Sequence, residues 1–154
     1  MMKKFKFFQL LLISSLLTGS LIACNEPEND SARTKIPFKG VYTWSFEIPG
    51  MGEQLSVFRF YTDSIRYEMT GTAYTNSYVQ ELVSYDAGEQ RCVTTGKGGG
   101  KDGIYFVMFF KDITGGAMSI YKKQCRTKEE ALTMAKPEAG TKADHGWNVY
   151  RQQP

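Results

Sequence analysis

The chain predicts an all-β protein, mainly antiparallel: a barrel of about eight strands with one short helix late in the sequence. Three observations carry this. From Phe38 onward, apolar side chains recur at every second residue, the period of a pleated strand. These runs are short and closely spaced, with turn residues between them, which suggests a small barrel or sandwich. Helix-start chemistry occurs at one place, Thr127-Lys128-Glu129-Glu130. A length of 154 residues fits one domain with a tail. Aromatics make up 14% of the chain, which argues against disorder.

The elements follow in order. Tyr42, Trp44, Phe46 and Ile48 alternate with Val41, Thr43, Ser45 and Glu47, so the aromatic side faces a core. Pro49-Gly50-Met51-Gly52 is turn chemistry. The second strand, about 53–62, carries Phe58 and Phe60 on one face and Leu55 and Val57 on the other. After Asp63-Ser64, the residues Ile65, Tyr67 and Met69 make a third strand that ends at Gly71. The stretch 72–85 is β-rich but slips in phase near Asn76-Ser77, which predicts a bulge or break there. Residues 89–95 form the next strand, and Gly96–Gly103 is a glycine-rich hairpin tip.

Ile104–Phe110 is a continuous apolar run, which predicts a strand covered on both faces. Met118–Lys123 follows, with Met118 and Ile120 buried. Thr127 as N-cap and Glu130 at the third helical position form a capping box, and the helix runs toward Pro137. A last strand, about 145–151, carries Trp147, Val149 and Tyr150.

The layout across 38–154 resembles a lipocalin. Gly40-Val41-Tyr42 stands where that family has Gly-x-Trp, Trp44 is close by, and a meander is followed by a late helix and a closing strand. The resemblance implies a closed eight-stranded barrel able to hold one small ligand. It does not carry function by itself.

Residues 1–23 have the layout of a secretory signal peptide. Lys3, Lys4 and Lys6 precede a short apolar core at Leu10–Leu17, too short to span a bilayer stably. Leu21-Ile22-Ala23-Cys24 resembles the bacterial lipoprotein box, which implies cleavage before Cys24 and lipid on its thiol. Two or three acyl chains would anchor the protein firmly. Residues 24–37 lack apolar periodicity and predict a flexible tether to a 38–154 domain. Its acidic start at Glu26, Glu28 and Asp30 resembles the export signal of Bacteroidota surface lipoproteins. Together these imply an outer-membrane lipoprotein facing the periplasm or the cell surface. Asp30-Ser31-Ala32 and Asp63-Ser64-Ile65 resemble that phylum's O-glycosylation motif.

Charge then reads differently. The formal +3 comes from 19 Lys+Arg against 16 Asp+Glu, and three of those lysines leave with the signal peptide. The mature chain is formally neutral, so nothing in it asks for a nucleic-acid partner. With Cys24 lipidated, Cys92 and Cys125 are left in an oxidising compartment, where a structural disulfide is expected; two buried free thiols are the alternative.

Candidate chemistry is sparse. Gly96–Asp102 lacks the Ser or Thr and the strand-to-helix context of a phosphate loop. A lone His145 beside Asp144 comes without a nucleophile motif, so no catalytic residue, metal ligand or cofactor is assigned. Aromatics are the remaining signal. Tyr42, Trp44, Tyr74, Asn76, Tyr78 and Trp147 are the candidate ligand-binding residues, and Tyr74–Tyr78 coincides with the phase break. The function expected is non-enzymatic binding of a small apolar or amphipathic ligand, or of an envelope protein at the barrel rim. Alternatives are an inhibitor of a secreted hydrolase such as lysozyme, presenting the Gly96–Gly103 tip, and a structural subunit of an envelope complex.

Overall fold

The structure, a computed structural model, describes residues 35–72, 74–138 and 146–154. Among them, eight strands follow one another as a meander: β1 Gly40–Ile48, β2 Gly52–Phe60, β3 Ser64–Gly71, β4 Asn76–Asp86, β5 Arg91–Lys97, β6 Tyr105–Lys111, β7 Ala117–Cys125 and β8 Asn148–Gln152. Each pairs antiparallel with the next, and β8 closes on β1 through Tyr42 opposite Gln152 and Thr43 opposite Arg151. The expected all-β barrel of eight strands is therefore what the chain forms. Closure leaves no free sheet edge, and with it no template for edge-to-edge association. Cys24, Ser31, Asp144 and His145, and most of the predicted tether, lie outside the described residues.

Alternation decides what fills the interior. Tyr42, Phe58, Phe60, Ile65, Tyr67, Tyr78, Phe106, Met108, Phe110, Met118, Ile120 and Tyr150 point inward and form one buried cluster. One end of the barrel is packed solid. Ile36 is buried there, its N–H donating to Thr62 O at 3.1 Å. Phe38 stands edge-on against Phe60 and Phe110, with ring centroids 5.0 and 4.7 Å away. Burying a side chain such as Ile36 contributes roughly 1.5–3 kcal/mol. Lys35–Pro37 was expected to be the end of the tether; the structure makes Ile36 part of the plug instead.

The phase break in β4 also moves. Pairing runs unbroken from Asn76 to Leu82, and the register shifts between Leu82 and Ser84. The extra residue, Val83, lets Leu82 and Tyr85 both face the interior despite their odd spacing. Near Asn76-Ser77 the chain enters the strand from the β3–β4 loop.

A second apolar layer lies outside the wall. Val93, Val107, Phe109, Tyr121 and Cys125 point outward and are covered by helix α1 (Lys128–Thr133), through Ala131 and Leu132, and by Trp147. This is why β6 is apolar on both faces. Thr127 Oγ1 accepts from Glu130 N at 3.1 Å, and Glu130 Oε2 accepts from Arg126 N at 2.8 Å, which caps the helix start. The helix stops at Thr133, short of the expected Pro137, because Met134 is extended. Arg91 donates to Met134 O, and Lys136 Nζ to Phe110 O at 2.9 Å, so the following segment is strapped onto the barrel.

The expected Cys92–Cys125 disulfide is not formed; both are free thiols. Cys92 on β5 sits opposite Met108 of β6, and Cys125 on β7 sits opposite Tyr105. An odd separation along β6 puts the two on opposite faces of the wall, Cys92 inside and Cys125 under the helix. Two strands apart is already roughly 10 Å, beyond the reach of a disulfide. Burial pushes the Cys92 thiol up to about 12, which keeps it protonated and inert.

Candidate functional site

Strand direction alternates around a meander. The C-terminal ends of β1, β3, β5 and β7 therefore meet the N-terminal ends of β2, β4, β6 and β8 at one rim. Below this rim, opposite the Ile36–Phe38 plug, the interior opens into a cavity of about 620 Å³. That volume is within the range of small-molecule sites.

Inward positions of seven strands, together with loop residues at the rim, line it. β1 contributes Trp44, Phe46 and Ile48; β2 contributes Gln54 and Ser56; β3 contributes Tyr67 and Met69. Tyr74, Asn76 and Tyr78 come from the β3–β4 loop and β4, Lys101 and Phe106 from the β5–β6 connection and β6. Ile120, Lys122, Lys123, Gln124, Asn148 and Tyr150 complete it from β7 and β8. Trp44 and Phe46 stack at 4.3 Å, and Tyr78 stacks on Phe106 at 5.4 Å, so much of the wall is aromatic face.

The polar groups converge on one side. Ser56 Oγ and Tyr150 Oη share a hydrogen bond of 2.9 Å across the barrel. Lys122 Nζ donates to Tyr78 Oη at 3.1 Å and lies 3.5 Å from the Tyr67 ring centroid, with Phe58, Tyr78 and Phe106 rings within 6 Å. Loss of hydration, with a smaller contribution from Lys101, pushes the Lys122 amine down to about 7. Burial likewise raises the Tyr67, Tyr78 and Tyr150 phenols, keeping them neutral. Gln54 is fully buried; its Nε2 donates to Glu53 O, while its Oε1 has no hydrogen-bond partner among the described residues. Among the described residues, no Asp or Glu lines the cavity.

Of the six candidate residues, the structure brings Trp44, Tyr74, Asn76 and Tyr78 together around the cavity. Asn76 Nδ2 donates to Tyr74 Oη at 2.9 Å, which fixes the pair at the rim. Tyr42 points inward but lies deeper, against Phe60 in the packed half. Trp147 is on the outside, next to Tyr121 and with Lys111 over its ring at 4.3 Å. Lys122, Gln54, Ser56, Tyr67 and Tyr150 were not singled out from the sequence. The alternation that buries Met118 and Ile120 continues to Lys122, and that parity was the available signal.

The glycine tip folds back on itself. Gly103 N donates to Gly96 O, and Asp102 Oδ1 accepts from Gly98 N at 3.0 Å. Gly99 has φ +57° and approaches Ser77 O so closely that a Cβ would sit 2.3 Å from it, which requires glycine. A separate groove at the plugged end is lined by residues 39–41 and 59–63, neighbouring stretches of β1 and β2, and is a fold of the outer wall. Among the described residues, no group of three His, Cys, Asp or Glu could hold a metal ion. No protein-family model, curated protein or solved structure matches the chain.

Proposed function

We propose that this protein is a lipid-anchored cell-envelope lipoprotein, held on the outer membrane at Cys24, whose barrel binds a small apolar or amphipathic molecule without chemical turnover. One observation carries the binding half: a closed barrel packed at one end and hollow at the other. A purely structural barrel gains by filling such space, because unfilled volume forfeits packing energy. Stacked aromatic walls supply apolar area, and the Ser56–Tyr150 and Lys122–Tyr78 groups supply the few polar contacts that orient a ligand. The lipoprotein box supports the anchor.

The fluorescent amine N-phenyl-1-naphthylamine tests the binding half. One probe per barrel is expected, with binding weakened at least tenfold by Ile48→Trp, which narrows the mouth while leaving the melting temperature near that of the wild type. An absence of saturable binding to the wild type would sink the carrier reading. For the anchor, labelled palmitate is expected in the wild type and not in Cys24→Ala; equal labelling rejects it.

A further inference from the structure

Resting on the carrier reading, we infer that the ligand is an anionic amphiphile: one acidic headgroup received by Lys122 and an apolar body against the aromatic wall. Among the described residues, every charged residue around the cavity is a lysine. Lys123 is paired with Glu130 at 3.4 Å, and Lys101 Nζ donates to Gln124 Oε1 at 3.4 Å. Lys122 is different. Its ammonium is inside the barrel, held by four ring faces and one phenol oxygen.

Ring quadrupoles offset part of the cost of taking a cation out of water, but do not replace a counter-ion. An ammonium has three donors, and the Tyr78 oxygen takes one. An entering carboxylate, phosphate or sulfonate supplies both the missing charge and the missing acceptors. Fully buried Gln54 lies in the same cavity wall, but its unpartnered Oε1 is an acceptor and calls for a donor rather than for the acidic headgroup. A neutral apolar ligand would leave the Lys122 ammonium without charge or acceptors.

Such binding is coupled to a proton. Among the described residues, the other titratable or charged groups lining the cavity around Lys122 are Tyr67, Tyr74, Tyr78, Tyr150, Lys101 and Lys123. Burial raises the Tyr67, Tyr78 and Tyr150 phenols, so they stay protonated and uncharged across the neutral range. Lys122, pushed down to about 7, is charged below that pH and neutral above it in the empty barrel. An anion therefore binds at constant strength below about pH 7. Above it, binding must take up a proton and weakens by up to about tenfold per unit.

The test compares 1-anilinonaphthalene-8-sulfonate with N-phenyl-1-naphthylamine, which share an arylamine body and differ in the sulfonate. The wild type is expected to prefer the sulfonate, with affinity falling between about pH 7 and 9. Lys122→Met is expected to lose about tenfold or more for the sulfonate and to lose its pH dependence, so that the preference for the sulfonate over the neutral probe disappears. Decanoate and decyl phosphate are expected to displace the sulfonate better than decanol, and the stronger of the two names the headgroup. Equal binding of both probes, or a pH-independent sulfonate affinity, overturns the anion preference and leaves the carrier reading standing. Binding of neither probe overturns both.

Discussion

In water a lysine ammonium is strongly hydrated; in this barrel half-buried Lys122 exchanges part of that hydration for ring faces and the Tyr78 oxygen. The exchange is unfavourable, and its pH dependence has a definite sign. Burial lowers the folded-state value from the ordinary 10.5 to about 7. Below about pH 7 both folded and unfolded chains hold the proton and the full penalty applies. Between about 7 and 10.5 the unfolded chain holds it and the folded chain does not, so stability rises with pH. Lys122→Met removes the penalty. Urea melts are expected to show the variant about 1–3 kcal/mol more stable near pH 6, with the difference shrinking toward pH 10. A variant less stable than wild type at both pH values would show that the amine is well solvated. A site residue of this kind is hard to read from sequence, because lysine normally marks a solvent-facing position. The one available signal was strand parity, since Lys122 continues the inward alternation of Met118 and Ile120.

At the level of elements, period-two patterning located most strands, since one-sided burial imposes it, and the continuous apolar run Ile104–Phe110 located the strand covered on both faces. The period failed where both faces are covered. Leu82 and Val83 are both apolar, one inside and one against the outer layer, so the bulge between them left no mark in the hydrophobic pattern. Parity also gives a face but not a depth. Tyr42 and Trp44 share the inner face of β1, yet Tyr42 lies in the packed half and Trp44 at the cavity. Trp147 precedes β8 and is on the outside, while Tyr150 within β8 is inward. The cysteine pairing failed for a related reason: only the registers β5–β6 and β6–β7 reveal that Cys92 and Cys125 point to opposite faces. Registers are set by turns and bulges across the whole barrel, and no local residue pattern encodes them. The helix start was legible because a capping box is local chemistry.

Over the whole molecule, the barrel is divided by packing. Ile36 and Phe38 plug one end together with Phe60, Tyr85 and Phe110, and the aromatic rings there are in edge contact. The other end carries the cavity, with Lys122 in its wall. A rigid closed half gives the open half a fixed frame, so the lining groups are already positioned before a ligand arrives. This division makes a spatial prediction that methyl-labelled NMR reads directly on addition of N-phenyl-1-naphthylamine. The methyl signals of Ile48, Met69 and Ile120 at the cavity are expected to shift and saturate together. Those of Ile65 and Met108, in the packed interior, are expected to stay in place. Shifts confined to the outer-wall residues Leu55, Val79 and Val149, with Ile48, Met69 and Ile120 unmoved, would contradict ligand binding inside the barrel.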